Sequence, residues 1–275
     1  MPWCRLSAKI FFDSRFEMEK LSADRLRGSL RGCLDITGLP DPQVAEYLSI
    51  LAQPSGATIT AGRDKWRPRG REDYKETTLV DEADFLPPGV SQELTGWWLE
   101  VVRGARLPNW DMASTCQIEG KRGLILVEAK AHDKELSTNG KKPPTTANGK
   151  LNHERIGKAI AEANAGLKNV IDKDWGLTRD SHYQLCNRFA WTWKLASLGV
   201  PIVLIYLGFL NAREMLDQGE PFTNHAAWEA CLRYHAKSIV PEEAWGKRFQ
   251  INGVPAWFII KSMELPADVK KPICQ

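Results

Sequence analysis

A chain of 275 residues that is 43% hydrophobic and 26% charged has the make-up of a soluble globular protein, long enough for one large domain or two small ones. Its net charge of +3 permits contact with nucleic acid without demanding it, so where the charges sit matters more than their sum. Cys4, Cys33, Cys116, Cys186, Cys231 and Cys274 lack the close pairing of a zinc ribbon or a disulfide framework. The opening Met-Pro-Trp-Cys-Arg lacks the apolar core of a secretory signal, and the longest apolar run, 201–210, is about half of the roughly 20 residues that a membrane-spanning helix needs. The expectation is a cytoplasmic protein with reduced thiols and no membrane partner.

Residues 1–55 read as mainly helical, with a break at 38–42. Asp41-Pro42 marks a helix start, because proline at the first helical position lacks only a donor that has no intrahelical acceptor. Over 62–75, Arg63, Lys65, Arg67, Arg69 and Arg71 alternate through a Pro- and Gly-broken loop that also holds Trp66. Cations beside an aromatic grip phosphates and stack on an unpaired base. The competing reading is a solvated loop tied down by its own acids, Asp64, Glu72 and Asp73. After Pro87-Pro88-Gly89 a helix is expected over 91–103. Leu94, Trp98, Val101 and Val102 form its apolar stripe, with Glu93, Trp97 and Glu100 on another side.

The chain turns on 124–132, Leu-Ile-Leu-Val-Glu-Ala-Lys-Ala-His. Its apolar half has the length and composition of a buried strand, yet it runs directly into charge. Strand side chains alternate, so Glu128, Lys130 and His132 share one face, the first two roughly 7 Å apart. The acid-any-lysine pattern also occurs at Asp73, Glu119 and Asp268, but only Glu128-Ala129-Lys130 follows an apolar strand and has a candidate partner strand, 110–118, just upstream. A two-residue turn at Gly120-Lys121 puts Asp111 opposite Lys130 and diagonal to Glu128, with the small Ala113 facing Glu128. A slip of one residue sends Asp111 to the other face. Two carboxylates and a lysine at a sheet edge suit phosphodiester hydrolysis. Hard oxygen donors hold Mg2+ or Mn2+, the ion activates water, and the lysine offsets charge on the phosphate.

On these residues the chain resembles the PD-(D/E)XK nuclease superfamily, in which an Asp on one strand and a Glu-any-Lys on the next form the site. The first motif here reads Pro108-Asn109-Trp110-Asp111, where the family has Pro directly before Asp. The resemblance spans 91–210. It implies Asp111 and Glu128 as metal ligands and Lys130 as the catalytic lysine. In several branches the preceding helix adds an acid, for which Glu100 is the candidate; the alternative is a solvated helix face. Some exonuclease-like members carry a Gln on the following helix. Gln184 occupies that position, with Arg188 one turn on, where the family has an aromatic. The two either position a phosphate or make ordinary helix-surface pairs.

The rest of the chain is read around that centre. The polar stretch 133–150 has too little apolar content to pack, and as a lid or a disordered loop it brings Lys141, Lys142 and Lys150 over a nucleic-acid backbone. Helices are expected over 151–171 and 181–198, the latter capped by Asp180 or Ser181, then a buried strand at 202–210, a helix over 224–238 and a strand at 253–261. His132 either touches a phosphate or is a surface group, and the other histidines lack a ligand-like arrangement. The predicted architecture is α/β: a restriction-endonuclease-like mixed central sheet flanked by helices. A helical N-terminal cap (1–90), a core (91–210, with an insertion at 133–180) and a C-terminal extension (211–275) divide the chain. The expected activity is a metal-dependent nuclease acting on DNA, with homodimerisation plausible for cutting two strands. The alternatives are a non-catalytic nucleic-acid- or protein-binding module that keeps the fold, and a purely structural salt-bridge network.

Overall fold

The computed structural model describes residues 26–265, and it makes the Leu-Ile-Leu-Val run the middle of a single six-stranded mixed sheet. The strands are β1 (Trp66–Arg67), β2 (Met112–Ile118), β3 (Lys121–Lys130), β4 (Ile202–Leu210), β5 (Arg248–Ile251) and β6 (Val254–Glu264), in the spatial order β1-β2-β3-β4-β6-β5. β1, β2 and β3 pair antiparallel, β4 runs parallel to both β3 and β6, and β5 returns antiparallel on β6. The helices are α1 (Gly28–Thr37), α2 (Asp41–Leu51), α3 (Val90–Trp98), α4 (Ala147–Ile171), α5 (Tyr183–Ser197) and α6 (His225–Ala236). No described helix is long and apolar enough to cross a membrane.

Alternation along β3 sorts the molecule into two cores. Ile125, Val127 and Ala129 join a cluster with α1 and α2, whereas Leu124 and Leu126 join a larger cluster with α3, α4, α5 and α6. Glu128 and Lys130 continue the second set, so they face α5. Because both faces are covered, β4 is buried along its whole length, as its unbroken apolar sequence requires. The parallel return from β3 to β4 passes through α4 and α5, the layered crossover that parallel strands need.

Several boundaries move for identifiable reasons. The helix expected over 91–103 stops at Trp98. There Leu99 turns extended (φ −123°), and the Asn152 side chain accepts from the Glu100 and Val101 amides at 2.9 and 2.7 Å. Val102 is thus exposed, while Trp97 is buried with its Nε1 donating to Glu162 at 3.0 Å. α4 begins at Ala147, inside the segment read as a loop, because Thr146 caps it by accepting from the Gly149 amide. α5 is preceded by His182 at φ 47°, in place of a cap from Asp180 or Ser181. α6 is capped by Asn224, the first residue of the expected helix. The short strands β1 and β5 were not expected, and they extend the one sheet from the N-terminal cap and the C-terminal extension. Expected helix at 1–25 and the chain end at 266–275 lie outside the described residues.

Candidate active site

The β2–β3 hairpin places the first acid. Its turn is Glu119-Gly120 rather than Gly120-Lys121, with φ of 50° and 75°, the pair of left-handed residues whose twist suits a two-residue hairpin. The ladder therefore runs from Ile118↔Lys121 to Met112↔Val127, Ala113 faces Leu126 instead of Glu128, and one further step sets Asp111 across from Glu128 instead of Lys130. The register moves by two residues, so parity is kept and Asp111 remains on the Glu128 side of the sheet. Asp111 Oδ2 accepts from the Ala129 amide at 2.6 Å, which fastens it to β3 just before β2 begins.

Glu128 is 1% exposed, and each of its oxygens is bound by a cation. Lys130 Nζ donates to Oε1 and Arg188 Nε to Oε2, the latter at 2.6 Å. The Arg188 guanidinium lies 4.5 Å over the Trp110 ring and donates to Asn187 Oδ1 at 3.0 Å. Arg188, read from sequence as a phosphate-positioning or surface-pairing residue, lines the cleft above Asp111 but makes no surface pair, because it is buried and clamps Glu128. That explains a guanidinium on the inner face of α5.

This network pushes the two carboxyls apart. Burial and the neighbouring Glu128 charge push Asp111 up to about 7, against Lys130 and the Ala129 amide. Burial also works to raise Glu128, but Arg188 and Lys130 outweigh it and hold the carboxyl below its usual range. Burial opposes the Lys130 charge as well, and Glu128 and Asp111 outweigh it to raise the ammonium. One carboxylate is thus neutralised by direct ion pairs, and the other has no cation in hydrogen-bond contact among the described residues.

Above Asp111 opens a cleft of about 520 Å³, lined among others by Glu76, Arg106, Lys141, Tyr183, Gln184 and Arg188. Gln184 also reaches a smaller enclosed space beneath, shared with Glu128, Lys130, Tyr206 and His235. Lys141 lies 4.7 Å over the Tyr183 ring, is half-buried, and has its pKa lowered by that burial. Neither Lys141 nor Arg106 pairs with a carboxylate among the described residues. The segment 133–146 is pinned by backbone bonds, among them Lys141 to Arg179 at 2.9 Å and His182 to Thr138 at 2.9 Å.

Other expected site residues stand elsewhere. Glu100 left α3 when the helix stopped, is exposed, and does not line the cleft, so it is not brought to Asp111. The basic loop is neutralised within the fold. Arg63 pairs with Asp64, Lys65 with Asp84, Arg67 with Asp73 and Glu82, Arg69 with Asp41, and Arg71 with Asp35. Trp66 is 2% exposed in β1 with Arg69 stacked on it at 4.6 Å, so its ring has no face for a base. His132 is buried against the bridge to Pro221 and does not line the cleft. Lys142 and Lys150 are exposed outside it.

Sequence reasoning missed Glu76, Arg106, Tyr183 and Asn187. Glu76 reaches the cleft because Thr77 exchanges backbone bonds with Trp110 at 2.9 and 3.3 Å, a long-range pairing without a sequence pattern. Asn187 neighbours Arg188, and a helical-face reading of α5 would have found it. Among the described residues no three His, Cys, Asp or Glu side chains cluster as a metal site. The chain matches no family model, no curated protein and no solved structure.

Proposed function

We propose that the protein is a divalent-metal-dependent nuclease with a restriction-endonuclease-like core running from α3 to β4, acting most readily on DNA. The observation that carries this reading is the meeting of Asp111 and Glu128 on one sheet face. They come from adjacent strands, with Lys130 bonded to Glu128. Asp111 lines a cleft whose Arg106 and Lys141 form no ion pair among the described residues, and Glu128 and Lys130 line the smaller space that shares Gln184 with it.

The donor set fits a hard cation. Asp111 Oδ1 accepts no hydrogen bond among the described residues, and a carboxylate oxygen already bound once keeps a second lone pair. Two carboxylates suffice for Mg2+ or Mn2+, because such ions keep several waters and take a phosphate oxygen. Asp111 and Glu128 would hold the ion, which when bound supplies Lewis-acid activation of water and phosphate. Arg188 fixes the Glu128 carboxylate, so its oxygens are positioned before substrate arrives. Lys130 keeps its proton at Nζ and offsets charge growing on the phosphate. Lys141 and Gln184, facing the cleft, hold and orient the phosphate beside Asp111.

Incubation of the wild type and Lys130→Ala with supercoiled, linear and single-stranded DNA, under magnesium, manganese or chelator, tests the proposal. Cleavage by the wild type with metal, lost in Lys130→Ala and in chelator, is the expected result. Equal cleavage by both proteins, or cleavage in chelator, rejects it.

One observation favours a second reading: both Glu128 oxygens are occupied by protein cations in a fully buried position, as in a structural ion network. Under that reading, Glu128→Gln lowers the melting temperature while magnesium leaves the stability of the wild type unchanged. A module that binds nucleic acid without cutting it would instead bind strands that it never cleaves.

A further inference from the structure

The cleft shares its wall with a second and larger cavity. A groove of about 780 Å³ runs between the 78–81 segment, α3 and the 99–109 loop, and Arg106, Leu107 and Asn109 line both spaces. The two spaces are therefore neighbours, separated by no more than these three residues.

The groove's lining narrows what occupies it. Its apolar part is Val80, Leu99, Val102 and Leu107, and its polar side chains are mostly neutral, Gln92 and Thr95 among them. Among the described residues that line it, Arg106 is the one cation and Asp81 the one acid. A duplex, stiff over about 150 base pairs and charged on both strands, would meet one positive group here. A flexible single strand suits it better. Its backbone would pass Arg106, its base faces would rest on the apolar side chains, and its base edges would meet amides and hydroxyls.

Gly96 is an independent pointer to the same surface. Of the 21 glycines in the chain, it alone combines a φ outside the left-handed region with nothing within 4 Å of where a Cβ would stand. Glycine inside a helix weakens it by roughly 0.5–1 kcal/mol relative to alanine. Neither backbone geometry nor a neighbouring atom requires glycine here, and Gly96 lines the groove. Close approach of a ligand to the backbone of α3 supplies the missing reason.

We propose that this groove is a binding subsite for single-stranded nucleic acid, continuing the catalytic cleft across Arg106 and along the Gly96 side of α3. The inference rests on the nuclease reading and adds the form of the substrate and the path it takes.

Fluorescence anisotropy with labelled oligothymidylates of 3 and 12 nucleotides tests it, in chelator so that no strand is cut. Wild type is expected to bind the 12-mer more tightly than a 12-base-pair duplex. Gly96→Trp, which fills the groove, and Gln92→Glu, which adds repulsion at an exposed position, should each weaken the 12-mer at least about tenfold and leave the 3-mer unchanged. Gly96→Ala, whose methyl takes space at the α3 backbone that the strand would occupy, should also weaken the 12-mer, leave the 3-mer unchanged and melt no lower than wild type. Unchanged 12-mer binding by Gly96→Trp and Gln92→Glu overturns the groove while leaving the nuclease reading intact, as does tighter binding of the duplex. Failure of the wild type to bind any strand, together with failure to cut one when magnesium is supplied, overturns both.

Discussion

Asp111 and Glu128 differ by one contact. Glu128 has a lysine and an arginine on its oxygens; among the described residues Asp111 has a backbone amide and no cation. Their stability contributions therefore run in opposite directions with pH. The folded Asp111 holds a proton up to about pH 7 that the unfolded chain, at 3.8, has already released. Stability from this group is accordingly greatest below pH 4 and declines as pH rises through 7. Glu128, lowered from 4.5, contributes stability above that value that is lost as pH falls below it. Asp111→Asn should stabilise the metal-free protein at pH 8, on the order of 1 kcal/mol because solvent reaches it through the cleft, and have little effect at pH 4. Denaturant melts at the two pH values check this, and the same variant should lose cleavage. Glu128→Ala removes the one acid that Arg188 and Lys130 both bond, leaving these buried cations only the unbonded Asp111 charge, and should cost about 3–5 kcal/mol by denaturant unfolding.

At the scale of elements, α3 shows how one side chain from a distant segment ends a helix. Asn152 of α4 accepts from two amides at 100 and 101 and donates to the Val101 carbonyl at 2.8 Å, satisfying groups that a longer helix would have used itself. Arg155, one turn on, donates to the Gly96 and Trp97 carbonyls at 2.7 and 3.1 Å. Asn152→Ala should cost about 1–3 kcal/mol and speed amide exchange at Glu100 and Val101, with protection in β3 unchanged. Exchange confined to fraying at the chain ends would contradict this account. The 91–103 pattern was a sound amphipathic signal, but it carries no trace of Asn152, and so it overran the true end.

For the molecule as a whole, charge is sorted by function more than by amount. The five basic side chains between 63 and 71 are each tied to an acid, two of them to α1 and α2 through Asp35 and Asp41. At the cleft, by contrast, Arg106 and Lys141 share the lining with Glu76 and Asp111 but form no ion pair among the described residues. Arg69→Ala with Arg71→Ala should therefore leave DNA affinity within about twofold and cost little stability, since exposed pairs contribute roughly 0–1 kcal/mol. Lys141→Ala should weaken binding and reduce the slope of log affinity against log salt by about 1, as expected for one lost phosphate contact. Titrations at several salt concentrations separate the two, and a larger loss in the loop variant would restore the basic loop as a nucleic-acid surface.

Local pattern alone identified the elements whose physics is local. The fully apolar 202–210 run is a doubly covered strand, Asp41-Pro42 opens a helix, and the alternation in 124–130 puts Glu128 and Lys130 on one face. Parity along paired strands kept Asp111 beside Glu128 even though the turn fell one residue earlier than expected. Contacts between residues far apart in the chain required the folded structure: Arg188 on Glu128, Thr77 carrying Glu76 to the cleft, Asn152 ending α3, and acids from several segments pairing with the basic loop. Periodicity reports which way a side chain points from its own element. Which partner meets it depends on the packing of elements against one another, and no spacing along the chain records that.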